Sequence, residues 1–191
     1  AATYRDALEK GGVPAVVQGG RGLLKTDEVE LLRLWLEEVV QEDDVALVGA
    51  VRGAGLALSD TGLFCLRKGY GVDYGEGANN SKAANRRFRT AILYGRLMPD
   101  EAMKAWQAAG GAPDGGLEEV LQRDAVILER FREIRTAFLH LLHRQSGSQA
   151  FELLLDRLGL WGYWHAREHG AQRVANLRAF LELVRGFEAD S

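Results

Sequence analysis

The sequence predicts a mainly α fold, and three observations carry that prediction. Proline is rare, with 3 in 191 residues, whereas the strong helix formers Ala, Leu, Glu and Arg are abundant. Apolar residues recur every three or four positions over residues 26–39 and, for longest, over residues 117–143. Glycine-rich stretches at residues 11–12, 19–22 and 69–77 separate the periodic segments. A chain of this length can bury a core without disulfides or metals.

The N-terminal region predicts a helix end, a strand and a long helix. Residues 3–10 read as the tail of a helix that Gly11 and Gly12 stop. Residues 13–17 form a short β-branched run, which favours a buried strand. Thr26 is placed to cap the next helix, with acidic residues in its first turn where the helix dipole favours them. The predicted core stripe of this helix consists of Val29, Leu32, Leu36 and Val39.

A glycine-containing turn between two short helices is the first candidate for DNA contact. Asp43 and Asp44 begin a helix that Gly53 and Gly55 end, and Ser59 caps the next helix, which runs to residue 67. The order Arg52-Gly53-Ala54-Gly55 resembles a helix-hairpin-helix, in which glycines let backbone amides approach a phosphate. A plain interhelical turn explains the same residues.

A basic helix is the second candidate. Residues 69–81 are rich in glycine and lack periodicity, which predicts a flexible loop. In the helix predicted after it, over residues 82–97, four cations share one face and a fifth adds charge; they are Lys82, Arg86, Arg89 and Arg96, with Arg87. Such a stripe can follow a DNA backbone by releasing counterions from phosphates. The alternatives are a solvated face or pairing with acidic residues of another domain.

Helices also account for the rest of the chain. They are predicted over residues 99–109, 117–143 and 151–158, and the second of these is the expected spine of the domain. Ser146-Gly147-Ser148 separates the last two, and residues 160–163 predict an aromatic turn into the final helices.

Composition limits the classes of function. A net charge of -3 argues against a protein that coats nucleic acid by bulk charge, so DNA contact has to be local. Cys65 is the single cysteine, which excludes an internal disulfide and suits a reduced core thiol in the cytoplasm. No long apolar run predicts a membrane span. The chain opens in mid-helix with Ala-Ala-Thr, as expected of an excised part of a larger protein.

One constellation suggests catalysis. His165, Glu168 and His169 fit the pattern H-x-x-E-H, in which two histidines bind zinc and a glutamate activates water. The pattern is short and Gly170 follows at once, so chance surface histidines are the preferred interpretation. No Walker A sequence, Gly-x-Ser-x-Gly elbow or Cys-His pair is present in the sequence. We therefore expect no catalytic residue, metal or cofactor in this chain.

Stretches at both ends resemble the superfamily-1 DNA helicases of the UvrD, RecB and AddA type. The first begins G-V-P-x-x-V-x-G-G at residues 12–20. It continues with E-V-x-x-L at residues 28–32, carried by Glu28, Val29 and Leu32, and with D-D-x-A-L at residues 43–47. The second is R-G-A-G-L-A-L-S-D at residues 52–60, whose Leu58-Ser59-Asp60 favours the RecB or AddA branch. The third is Q-R-V-A-N-L-R-A-F-L-E-L-V-R-G-F at residues 172–187. The middle of the chain matches only as generic helix.

The resemblance implies a helical accessory subdomain of type 2B. Residues 1–25 would be the end of motor subdomain 2A, including a short strand, and residues 26–191 would be the 2B-like subdomain. It implies a non-catalytic role in recombinational DNA repair, in which the glycine turn lies against duplex DNA and the subdomain gates unwinding. ATP and magnesium would be bound elsewhere in the parent helicase, and a nuclease subunit is an expected partner. The rival hypotheses are a helical protein-interaction module and, remotely, a zinc hydrolase.

Overall fold

The computed structural model describes residues 10–12, 22–74, 87–112, 115–144 and 146–190. The strand predicted at residues 13–17 lies outside these ranges. So do most of the helix predicted at residues 3–10 and part of the loop predicted at residues 69–81. The first long described stretch begins at Gly22.

Helices dominate the described chain, which confirms the mainly α prediction. Within the described ranges, a short 3-10 turn (Leu23–Lys25) precedes nine α-helices and one pair of strands. In chain order these elements are α1 (Asp27–Gln41), α2 (Asp44–Arg52), α3 (Asp60–Lys68), β1 (Val72–Asp73), α4 (Arg87–Tyr94), β2 (Arg96–Leu97), α5 (Pro99–Ala108), α6 (Leu117–Arg144), α7 (Gly147–Arg157), α8 (Leu160–His165) and α9 (Gly170–Ala189). Among these residues no helix is both long enough and apolar enough to cross a membrane. The aromatic turn predicted at residues 160–163 is instead the first part of helix α8.

The described residues divide into two compact units. The first contains those up to Ala50 and those from Ile134 onward, and the second contains those of Val51–Glu133. Helices α1, α7, α8 and α9 lie wholly in the first unit, whereas α3, α4, α5 and both strands lie wholly in the second. Helices α2 and α6 contribute residues to both. This division does not test the predicted boundary between subdomains 2A and 2B at residue 25, which stays a prediction.

Aromatic side chains form the centre of the first unit. Trp35 of α1 and Phe138 of α6 are fully buried and meet edge to face, with ring centroids 6.1 Å apart. Phe138 continues to Phe151 of α7 at 5.6 Å, and Phe151 to Phe180 of α9 at 5.0 Å. This series joins four helices, because each aromatic ring contacts one from the next helix.

A two-stranded sheet holds the second unit together at a place predicted to be loop and helix. β1 and β2 pair antiparallel, with Val72 opposite Leu97 and Asp73 opposite Arg96. Gly71 precedes the first strand with φ +58, and its carbonyl accepts a hydrogen bond from the backbone N–H of Met98 at 2.7 Å. A Cβ on Gly71 would overlap the backbone of α5. The prediction of a flexible loop throughout residues 69–81 is therefore wrong for β1.

Polar caps begin several of the helices. Asp43 accepts a hydrogen bond from the N–H of Ala46 at 2.7 Å, and Ser59 from the N–H of Gly62 at 3.0 Å. Ser146 does the same at the start of α7, accepting from the N–H of Gln149 at 3.3 Å. Thr26 is the N-cap residue of α1, but its hydroxyl donates back to the carbonyl of Leu23 at 2.9 Å and makes no capping bond. The cap position is therefore predicted correctly at both Ser59 and Thr26, whereas the side-chain capping bond forms only at Ser59.

Cys65 is expected to react with a disulfide reagent such as DTNB only after the chain unfolds. Its side chain is fully buried in the second unit, and burial together with the charge of Asp124 raises the pKa of Cys65. The thiol therefore stays protonated, whereas the thiolate is the reactive species. The check compares DTNB reaction rates of the native and urea-unfolded chain. Equal rates would contradict the buried, protonated state.

Candidate nucleic-acid interface

The turn between α2 and α3 presents the first group of predicted DNA-binding residues. Gly55 has φ +87, in the left-handed region that favours glycine. Arg52 is exposed at the end of α2, and its Nη2 lies 2.8 Å from Oδ1 of Asp60 at the start of α3. Gly53 is half-buried and accepts hydrogen bonds at its carbonyl from the N–H groups of residues 56 and 57. The turn therefore places Arg52, Gly53 and Gly55 together at the surface of the second unit, and their contact with DNA stays a prediction.

A buried carboxylate occupies the N-terminus of α3. Asp124 of α6 has no exposed surface, and its Oδ1 accepts a hydrogen bond from the N–H of Ser59 at 3.3 Å. The hydroxyl of Ser59 donates to Oδ2 of the same carboxylate. A Cβ on Gly62 would overlap Asp124, so only glycine admits the carboxylate here. Asp124 therefore already occupies the positive end of this helix.

The predicted basic helix is only partly as expected. Lys82 and Arg86 lie outside the described residues, and Arg87 is the first residue of α4. Arg89 is half-buried on that helix. The helix ends at Tyr94, and Arg96 lies in β2 opposite Asp73. The prediction that Arg96 continues the helical stripe is therefore wrong, because a two-stranded sheet takes over before it. Opposite charges facing each other across two strands also stabilise the pair.

Arg132 fixes the end of α4 against α6. Its Nε donates to the carbonyl of Ile92 at 2.9 Å, and its Nη2 donates to the carbonyls of Ala91 and Gly95. Ala91 and Ile92 belong to the last turn of α4 and Gly95 follows its end, where carbonyls run short of helical N–H partners; the carbonyl of Ala91 also accepts from the N–H of Gly95 at 3.1 Å. Burial lowers the pKa of Arg132. A half-buried cation at this end of the helix therefore holds α4 in one orientation within the second unit.

An aromatic and basic surface that is centred on α3 was not predicted from the sequence. We call it the Phe64 face, and it consists of Phe64, Arg67, Lys68, Tyr70 and Trp106. Phe64 is 40% exposed and meets Trp106 and Tyr70 edge to face, with centroid distances of 5.3 and 6.0 Å. Lys68 Nζ lies 5.7 Å from the centroid of Phe64. The signal in the sequence was the spacing of Asp60, Phe64 and Lys68, which puts an aromatic residue on the polar side of a helix.

A second unpredicted group, here called the Glu28 cluster, lies in the first unit. Glu28 is buried at the start of α1 and accepts hydrogen bonds from two residues of α9, Arg173 Nη1 at 2.8 Å and Asn176 Nδ2 at 2.7 Å. Arg173 Nη1 also lies 3.3 Å from Oδ2 of Asp27, and its guanidinium stacks over the ring of Trp164 with 5.0 Å to the centroid. Arg173 stabilises both carboxylates through charge-assisted interactions.

The H-x-x-E-H residues do not form the geometry of a zinc hydrolase. Helix α8 ends at His165, and His169 has φ 55 before α9 begins, so the two histidines are not one turn apart on a single helix. His165, Glu168 and His169 are all exposed. Within the described ranges no group of three or more metal-ligating side chains comes together. The arrangement does not support the zinc hypothesis, since H-x-x-E-H chemistry needs both histidines on one helical face.

Comparison with known proteins adds no relative. Neither the scan against protein-family models nor the search of curated proteins returned a match for this chain.

Proposed function

We propose that this chain is a non-catalytic accessory subdomain, of the 2B type, from an ATP-dependent DNA helicase or helicase-nuclease of recombinational repair. The Glu28 cluster is the observation that carries the proposal. Glu28 belongs to the first stretch that resembles these helicases, and Arg173 and Asn176 belong to the last. The stretches are 145 and 148 residues apart at these positions, yet they share one hydrogen-bonded group.

Contact between the two stretches suits a subdomain inserted into a host. An insertion has to leave and rejoin its host at neighbouring points, so residues near its two ends should pack together. The 3-10 turn Leu23–Lys25 and α1 both contact α9 in the first unit. Charged groups are seldom buried without a partner, and Glu28 is buried with two. The buried Glu28 cluster keeps the two stretches in contact, which supports the proposal that this subdomain is inserted into a host.

The chemistry of the parent enzyme would lie outside this chain. The sequence contains no G-x-x-x-x-G-K-[ST] segment, so ATP and magnesium would be held by other subdomains. The role of this chain is then to bind DNA and to gate unwinding by the motor. Residues 1–25 would be the end of subdomain 2A. A nuclease subunit is a further proposed partner.

DNA contact in this proposal is local and basic. The net charge of the whole chain is -3, so binding depends on where the cations lie. The turn with Arg52 and the start of α4 with Arg87 and Arg89 both belong to the second unit. Residues 82–99 contain no acidic residue. This stretch is therefore the strongest positive segment available to a DNA backbone.

Replacing Arg86, Arg87 and Arg89 together with alanine is expected to weaken binding to a duplex that carries a single-stranded tail. Each lost phosphate contact should flatten the dependence of log K on log salt by about 0.9, so three lost contacts should lower the slope by up to about 3. The measurement is fluorescence anisotropy of the labelled DNA across a salt series.

A matched variant removes the same charge from the first unit. Arg144, Arg157 and Arg178 are exposed there, and their combined change to alanine should leave most of the affinity intact. Circular dichroism confirms that both variants keep their helices. Equal losses in the two variants would reduce the binding to bulk charge. No binding by the unmodified chain at low salt would contradict the DNA-engaging role and favour docking of a protein partner.

A further inference from the structure

We propose that the Phe64 face is a stacking site for single-stranded DNA. The inference rests on the proposed function and extends it, because it concerns an unpaired strand and a surface that the predicted duplex contacts do not include. Three features of the face carry it: an exposed aromatic ring held by two others, neighbouring cations, and a stretch of chain without acidic residues.

Phe64 is placed as a platform on the outside of α3. The helix buries Leu63, Cys65 and Leu66, so its core requirement is met without Phe64. Trp106 meets the ring of Phe64 at 83° and Tyr70 meets it at 75°, both edge to face. Contacts with two neighbouring aromatic rings restrict the motion of Phe64, which reduces the entropy that a bound base would have to remove.

Two cations follow Phe64 on the same helix. Arg67 and Lys68 are exposed beside Phe64, and Arg67 Cζ also lies 5.9 Å from the centroid of Phe88. Residues 61–72 contain no acidic side chain, and Asp60, one turn before Phe64, is paired with Arg52 at 2.8 Å. Lys68 Nζ lies over the ring on a flexible stem, so it can move to a phosphate when a base takes its place. Positive charge beside an aromatic face is the combination that binds single strands regardless of sequence.

An unpaired strand fits this face better than a duplex does. Bases within a duplex stack on one another and present only their edges in the grooves. A single strand exposes base faces, and each can stack on an aromatic ring. A protein partner would also cover an aromatic side chain, but the adjacent cations favour a polyanion.

The test compares binding of a labelled oligo(dT) and a labelled blunt duplex to the 191-residue chain. Phe64→Leu keeps an apolar side chain of similar length and removes the ring. We expect an affinity for oligo(dT) about tenfold lower, in keeping with the loss of one stacked base, and an unchanged affinity for the duplex. Phe187→Leu is the matched control, because Phe187 is a strongly exposed phenylalanine of the first unit.

A second variant tests the cation. Lys68→Gln should lower the salt slope for oligo(dT) by roughly 0.7, the value of one contact on a single strand. Lys25→Gln removes the same charge from the first unit and should leave the slope unchanged.

Several results would overturn the inference. Oligo(dT) binding that is absent, or unaffected by Phe64→Leu, contradicts it. So does an equal loss on both DNAs, or self-association that Phe64→Leu abolishes without any effect on DNA, which would make the face a protein contact. Duplex binding that still depends on the arginines at residues 86–89 would leave the proposed function in place in each of these cases. Loss of duplex binding as well would remove both.

Discussion

Changing Glu38 to alanine is expected to lower the free energy of unfolding by about 3–5 kcal/mol, because it leaves Arg135, whose side chain is only 16% exposed, without its counter-charge. Glu38 of α1 is fully buried, and the guanidinium of Arg135 in α6 binds it through two hydrogen bonds of 2.9 and 3.0 Å. Domain stabilities are on the order of 5–15 kcal/mol, so this single change removes a large share. Urea unfolding followed by circular dichroism measures it.

Two further variants separate the charge from the packing. Replacing both partners, as Glu38→Leu with Arg135→Met, should recover most of the lost stability, since apolar residues of similar volume leave no unpaired charge. Glu30→Ala lies on the same helix but breaks an exposed pair with Arg33, so its effect should be a small fraction of that at Glu38. A double variant as unstable as the two single changes combined would contradict this account.

Helix positions were predictable because local patterns determine them. The stripe of α6 repeats through Leu121, Leu128 and Phe131, all fully or almost fully buried, and the helix was predicted to within one residue at its end. Ser59 and Asp43 act as caps within three residues of the groups they bind, which makes them visible in sequence. Such signals need no knowledge of distant parts of the chain.

The buried carboxylates were not predictable, because their partners are remote in sequence. Glu38 reads as a solvated residue on α1, and the prediction buried Val39 and Leu36 beside it. The structure confirms Val29 and Leu32 as fully buried. Farther along α1 it buries Trp35 and Glu38, with Val39 and Leu36 only half-buried. The cation that makes this tolerable, Arg135, is 97 residues away. Burial of a charge depends on its partner, so the apolar pattern of one helix cannot reveal it.

The strand pair and the Phe64 face could not be predicted from the sequence, and the reasons are related. Two-residue strands such as β1 give no periodic signal, and the glycines around it resemble those of a loop. The grouping of Phe64 with Trp106 depends on the packing of α3 and α5, which are separate in sequence. The glycine turn with Arg52 was visible because its residues are contiguous. Its DNA contact stays a prediction, whereas groups assembled from remote residues gave no sequence signal that led to them.

Phe138→Ala is expected to destabilise the chain by about 3–5 kcal/mol, because it removes the middle of the aromatic series in the first unit. Phe138 has no exposed surface and contacts both Trp35 and Phe151, so neither neighbour can fill the space without losing its own contacts. Phe138→Leu keeps most of the volume and should cost about 1 kcal/mol. Urea unfolding of both variants gives the comparison.

Phe138 also lies three residues from Arg135 on α6, so the destabilisation caused by changing Phe138 and that caused by changing Glu38 should not be additive. Additive losses would show that the ionic and aromatic contacts of α1 with α6 act independently, contrary to the packing described.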